Sequence, residues 1–229
     1  MKMDRASDGG QDGQGNVDIS GRYGHSREGQ LKQKAQQLQA GLIDRALFLR
    51  EFLKRPRQVA SIIPSSRFLE RRIVEMAEIR SARTVVELGA GTGGTTRAIL
   101  SAMAPDAKLL VIEINPQLCE LVGRITDARL IVHCGCAHEL ESVLASYGLA
   151  APDAVVSGIP FSTINRVTGL QILDTISAML IPGGRFVAYQ VSDQVNALTR
   201  PLMGSAQVEV ELFNIPPVRL YRWEKRAPA

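Results

Sequence analysis

Two short stretches combine residue types and spacings that can do chemistry. The first, "VVELGAGTGGTTRAIL", sets Glu87 just ahead of Gly89, Gly91, Gly93 and Gly94, with Ala90 and Thr95 among them. Glycines at this spacing let the backbone turn sharply and approach a ligand. A helix that follows points its first amides at whatever is held there. About twenty residues on, Glu113 closes the run "VIEIN", where an acid accepts hydrogen bonds from ribose hydroxyls. The second stretch, "VVSGIPFSTI", offers Ser157, Gly158, Ile159, Pro160 and Phe161 at the end of another apolar run.

Two ligand classes use the first geometry. A dinucleotide presents a pyrophosphate to the helix N-terminus, whereas S-adenosylmethionine presents an amino-acid group and a sulfonium. A carboxylate at Glu87 repels a pyrophosphate and suits an ammonium beside a positive sulfur. The expected cofactor is therefore S-adenosylmethionine, leaving as S-adenosylhomocysteine.

These residues need elements to position them. "RTVVELGAG", "KLLVIEIN", "RLIVHCG", "DAVVSGIP" and "GRFVAYQVS" are short β-branched runs, separated by helix-like segments at 94–104, 116–125, 138–147 and 165–180. Strand and helix alternating in this way imply right-handed crossovers and a mostly parallel sheet. "AQVEVELF", "NIPP" and "VRLYRWEKR" then read as two strands joined by a tight turn, an antiparallel hairpin closing the sheet. The fold class is α/β: a Rossmann-like, seven-stranded class I methyltransferase sheet over 81–229, preceded by amphipathic helices.

Upstream, residues 1–29 are rich in Gly, Asp, Gln and Ser and read as a disordered tail, in which Tyr23 and His25 are candidates to fold over a site. Residues 30–80 read as an amphipathic membrane or lid segment. Leu38, Leu42, Leu49, Phe52 and Leu53 recur at helical spacing among basic residues, Pro56 stops the helix, and a second helix starts from Ser65 or Ser66 and runs to about Ile79. Between residues 30 and 76 stand ten Lys plus Arg against four Asp plus Glu, in a chain of formal net charge +4.

The composition sets bounds. The 229 residues are 45% apolar and 5% aromatic, which suits an aliphatic core on a buried parallel sheet. No run approaches the roughly 20 apolar residues that span a bilayer. Cys119, Cys134 and Cys136 form no CxxC pair, in keeping with a reducing cytoplasm. His133, Cys134, Cys136 and His138 alternate across strand faces, so no metal is expected.

"FLREFLKRPRQVASIIPSSRFLERRIV", "VVELGAGTGGTTRAIL" and "SGIPF" together resemble the bacterial phospholipid N-methyltransferases over roughly residues 40–225. That resemblance implies stepwise methylation of phosphatidylethanolamine towards phosphatidylcholine by a cytoplasmic protein bound peripherally to the inner face of the cell membrane. Ornithine-lipid methylation has the same look. The implied partners are an anionic membrane surface and its phospholipid, with no nucleic acid. Arg50, Lys54, Arg55 and Arg57 would meet lipid phosphates, with Ile159, Pro160 and Phe161 beside the substrate. Ser65 and Ser66 would stand near the cofactor carboxylate. Relatives of this fold commonly place an acid against the adenine at the end of the third strand. Cys136 stands there instead, leaving backbone groups of Cys136 and Ala137 and the side chain of Ile114 to hold the base.

Enzymes that methylate an exocyclic base nitrogen are similar at the acceptor stretch, but carry Asn or Asp and a tyrosine that this chain lacks. Backbone carbonyls of Ser157 and Gly158 are then expected to orient the amine. Tyr23, His25 and Tyr189 remain candidates for proton handling. Three other readings stay open: an RNA adenine N-methyltransferase of the rRNA dimethylase type, a small-molecule amine methyltransferase, and a catalytically silent cofactor- or lipid-binding module.

Overall fold

Apolar runs of four to six residues, too short for helices that bury a face, pair side by side and leave both sheet faces to be covered. The computed structural model describes residues 66–214 and 217–226. Its strands are β1 (Thr84–Leu88), β2 (Lys108–Glu113), β3 (Leu130–Cys134), β4 (Ala154–Ser157), β5 (Arg185–Gln190), β6 (Gln207–Glu211) and β7 (Val218–Glu224). They form one sheet in the order β3-β2-β1-β4-β5-β7-β6. The first five are parallel, and β7 pairs antiparallel with both β5 and β6. The strand order reverses between β1 and β4, which opens a crevice at the carboxyl ends of those two strands.

Six α-helices cover the sheet among the described residues: α1 (Arg67–Met76), α2 (Gly94–Ala102), α3 (Pro116–Gly123), α4 (Leu140–Ser146), α5 (Arg166–Met179) and α6 (Gln194–Met203). Side chains alternate along each strand, so β1 sends Val85 into one core and Val86 and Leu88 into the other. The first core gathers Leu69, Ile73 and Met76 of α1, Ile99 and Leu100 of α2 and Val122 of α3. The second gathers Leu140 and Val143 of α4, Ile172 and Ile176 of α5 and Leu198 of α6, with Phe186 stacked on Trp223.

Local chemistry sets the helix starts. Ser66 caps α1, its hydroxyl accepting the Leu69 amide at 3.2 Å, so the start lies at Ser66. Asn115 and Asn165 cap α3 and α5 in the same manner. The helix expected to reach Ile79 ends at Met76, and a 3-10 turn, Ile79–Ser81, follows. Helix α6 was absent from the sequence reading. Its buried stripe is only Val195, Leu198 and Thr199, and Pro201 in its last turns looks like a stop signal.

Candidate cofactor and acceptor cleft

Strand β1 delivers Glu87 fully buried, on the face that α1 and α2 cover. Its Oε2 accepts the Thr96 hydroxyl at 2.6 Å. Its other oxygen, Oε1, is buried with no hydrogen-bond partner. Burial, with Glu113 nearby, pushes this carboxyl up to about 8 against the opposing Thr96 bond. A buried polar atom left alone costs on the order of 1–3 kcal/mol, so this oxygen marks a place prepared for a donor or a cation.

The turn after Glu87 is held from several directions. Gly89, Gly91 and Gly93 all have positive φ (75°, 57° and 80°), a region closed to most L-residues at low cost. Ala90 between them is buried, and Thr95 lies buried in the first turn of α2. The Arg97 guanidinium reaches back to the carbonyls of Thr92 and Gly93, at 3.1 Å each. Glu113, at the end of β2, accepts the Gly91 amide at 3.1 Å and the Asn115 amide at 3.0 Å. Burial raises the Glu113 carboxyl while these backbone bonds oppose the rise. Glu113 thus fixes the glycine turn directly. The Ile114 amide acts on the same carboxylate.

Helix α1 contributes a third carboxylate, Glu70, from its first turn. A Glu70 oxygen lies 3.0 Å from where a Cβ on Gly94 would sit, against the start of α2. Burial pushes Glu70 up to about 7, with Arg67 and Arg97 pulling it down.

At the end of β4, Gly158 hydrogen-bonds through its amide to the Leu88 carbonyl at 2.9 Å, joining the two strand ends at the crevice. A Cβ at this position would meet the Gly89 carbonyl oxygen at 2.8 Å and the Tyr189 hydroxyl. Tyr189 and Gln190 end β5. Gln190 donates through Nε2 to the Ile159 carbonyl at 2.6 Å, and the Tyr189 hydroxyl lies 3.5 Å from Thr95 Oγ1. Burial first, then the charges of Glu87, Glu113 and Glu70, raises the Tyr189 phenol, which keeps its proton.

The structure brings Glu87, Gly89, Ala90, Gly91, Gly93, Thr95, Glu113, Ser157 and Gly158 to the carboxyl edge of the central strands. Ile114 follows Glu113 and is 70% exposed, free to meet a base. Other positions differ from expectation. The Cys136 amide is bonded to Glu139 Oε2 at 3.1 Å, which engages that group away from a base, and Ala137 is buried. The Ser66 amide is held by Asn214 Oδ1 at 3.2 Å and its hydroxyl caps α1, which engages both groups away from a cofactor carboxylate. Phe161 is fully buried in the second core, so its ring packs the loop instead of facing a substrate. The Ser157 hydroxyl accepts the Ile159 amide at 3.3 Å. Tyr23, His25, Arg50, Lys54, Arg55, Arg57 and Ser65 lie outside the described residues. The sequence patterns single out neither Thr96 nor Gln190. The signal for Gln190, and for the weight of Tyr189, was a polar pair ending an apolar strand run. Among the described residues no group of three or more His, Cys, Asp or Glu side chains converges on a metal position.

No protein-family model matches the chain. It is 34% identical over 180 residues to the ornithine lipid N-methyltransferase of Singulisphaera acidiphila, an alignment spanning 76% of this chain and 93% of that protein. It is 33% identical over 107 residues to the ribosomal RNA small subunit methyltransferase A of Caulobacter vibrioides, spanning 43% of this chain and 39% of that protein. Among solved structures, the O-methyltransferase TomG of Streptomyces achromogenes, crystallised in complex with S-adenosylmethionine, superimposes with a TM-score of 0.59 at 16% identity. That match covers 72% of this chain and 82% of TomG, and it shows the class I methyltransferase fold.

Proposed function

The chain belongs to the ornithine lipid N-methyltransferase family, and from that premise we propose that it moves methyl groups from S-adenosylmethionine to the amine of a membrane lipid. The observation that carries the cofactor reading is Glu87 Oε1, buried and unpartnered beside three left-handed glycines. The residues fit the cofactor. Gly89, Ala90, Gly91, Gly93 and Thr95 would form its cradle, Glu87 would meet its positive charge, and Glu113 and Ile114 would hold the ribose and the base.

When bound, S-adenosylmethionine supplies a methyl carbon activated by its sulfonium. The chain's own part is to bind, desolvate and aim the acceptor. A lipid amine arrives as an ammonium, and burial at the crevice favours its neutral form, which exposes the nitrogen lone pair. Holding that lone pair in line accounts for most of the acceleration such a site can give. Phosphatidylethanolamine, methylated towards phosphatidylcholine, is the acceptor expected from sequence. The relative's name favours an ornithine lipid, and both offer a primary amine.

A corner of the molecule supports the membrane part of this reading. Phe68 at the start of α1 is 59% exposed, and Leu212 and Phe213 after β6 are 71% and 75% exposed. The Phe68 and Phe213 rings lie 5.2 Å apart. Contiguous large apolar side chains left in water mark interaction sites. Just upstream stands the basic stretch with Arg50, Lys54, Arg55 and Arg57, each worth about 1 kcal/mol at an anionic surface. Among the described residues no helix is long and apolar enough to cross a membrane.

The test is incubation of the protein and methyl-labelled cofactor with vesicles holding phosphatidylethanolamine or ornithine lipid, and separately with unmodified ribosomal RNA. Label in a lipid amine is expected. Label in RNA and in neither lipid would replace this reading with the RNA one, which Phe161, buried away from any base, disfavours.

A further inference from the structure

We propose that the Tyr189 hydroxyl accepts a hydrogen bond from the substrate amine and orients it at the end of β4, an inference that rests on the amine-methylating reading above. The stretch from Ser157 to Phe161 lies at the crevice yet presents no exposed side-chain polar group. Gly158, Ile159 and Pro160 have none, Phe161 is fully buried, and the Ser157 hydroxyl holds the Ile159 amide at 3.3 Å. Gln190 is buried, and its Nε2 donates to the Ile159 carbonyl at 2.6 Å.

Tyr189 fills that gap from the neighbouring strand. Its oxygen falls on the place where a Cβ on Gly158 would be, with its Cζ 2.9 Å away. The phenol therefore occupies the space that a side chain at 158 would take, and Gly158 is small because Tyr189 is there. Thr95 Oγ1 lies 3.5 Å from the hydroxyl, which is a long contact. At least one phenol lone pair is thus open to a donor.

The surroundings select that donor. Glu113, and Glu87 and Glu70 when ionised, act on the phenol electrostatically, so a positive or partly positive N–H group is favoured there. The phenol keeps its own proton under the same influences. A neutral phenol cannot take a proton from an ammonium, but its oxygen can accept N–H. The role is aiming the nitrogen, with no proton transfer through Tyr189. A trimethylated product has no N–H to give, so the same contact favours release of the finished headgroup.

The experiment compares short-chain lipids that differ only in N–H. Calorimetry uses the full chain with dihexanoyl phosphatidylethanolamine and dihexanoyl phosphatidylcholine, and with a short-chain ornithine lipid and its trimethylated form. The unaltered protein is expected to hold at least one primary amine about tenfold more tightly than its trimethylated partner, the scale of one hydrogen bond to a charged group. Tyr189→Phe is expected to bring that pair within about twofold and to lower kcat, while S-adenosylhomocysteine affinity stays within about twofold. A Tyr189→Phe protein that keeps the preference overturns the assignment and leaves the lipid reading standing. Loss of S-adenosylhomocysteine binding together with lipid binding also overturns it, because the hydroxyl would then be supporting the fold. If the unaltered protein binds none of the four lipids, the lipid reading falls and takes the assignment with it.

Discussion

The two halves of the cleft are assembled in opposite ways. The cofactor half is nearly continuous in the chain: Glu87, the glycine turn, Thr95, Thr96 and Arg97 form one strand–turn–helix unit, and Glu113 closes it from β2. The acceptor half is composite. Gly158 comes from the end of β4, and Tyr189 and Gln190 come from the end of β5. A ligand shared by many enzymes can be held by one local unit, whereas an acceptor particular to one family is met by side chains that only the finished sheet brings together.

The most direct way to break that comparison is to crowd the composite half. Gly158→Ala drives a methyl against the Tyr189 hydroxyl and the Gly89 carbonyl. Lipid turnover should drop about a hundredfold, since displacements near 1 Å cost that much. Cofactor affinity should fall less than about tenfold, because Glu87 and Glu113 keep their places. Equal losses in turnover and cofactor affinity would mean the halves are one unit.

Glu113→Ala probes the continuous half. It removes the carboxylate that accepts the Gly91 and Asn115 amides. S-adenosylmethionine affinity measured by calorimetry should fall at least about tenfold, the scale of one charge-assisted bond. Unchanged affinity would place the nucleotide elsewhere.

A smaller effect is expected outside both halves. Leu212→Ser with Phe213→Ser should cut sedimentation with anionic vesicles about fivefold, part of the roughly 1.5–3 kcal/mol gained when one such side chain is buried. Turnover of a short-chain, soluble amine lipid should stay the same. If that turnover falls as well, the corner is part of the cleft and not a membrane contact.

The smallest effect concerns pH. An unfolded Glu87 carboxyl ionises near its ordinary 4.5 and the folded one near about 8. Between those values the folded protein holds the extra proton, so the stability of the ligand-free protein falls as pH rises through that window. Glu70, raised to about 7, adds to the same trend. The Tm should be a few degrees lower at about pH 8.5 than at about pH 6. Glu87→Gln should flatten the difference, and an unchanged slope in that variant would remove Glu87 as its source.

Much of the first half could be read in the chain, because a glycine turn after an apolar strand and before a helix is a local pattern. The same holds for the sheet, whose five parallel runs and closing hairpin announce themselves by β-branched stretches and crossover segments. The second half could not. Nothing in "VAYQVS" says that Tyr189 lies over Gly158, since that depends on β4 and β5 pairing Ser157 with Ala188. Phe161 misled for a related reason. An aromatic after a glycine–proline turn suits a substrate contact, and only the packing of α5 and α6 against it shows that its ring is core. Thr96 is a further case: a threonine in a helix's first turns has no local mark of reaching back to a buried acid.

The Arg72 guanidinium bridges Glu209 at 2.7 Å and Glu211 at 2.8 Å, and Ser66 is tied to Asn214. The first described helix is therefore latched by nearly the last strands made. During synthesis α1 emerges early but has to wait for β6 and β7 before these ties can form, so seating of α1 is a late event in folding. A ribosome-stalled chain ending at Ala206 should leave the α1 amides open to hydrogen exchange, and one extended through Lys225 by a linker that spans the exit tunnel should protect them. The residues that join the exposed Phe68–Phe213 corner to the cleft are thus locked only after the whole sheet exists, so a half-made chain has no seated α1.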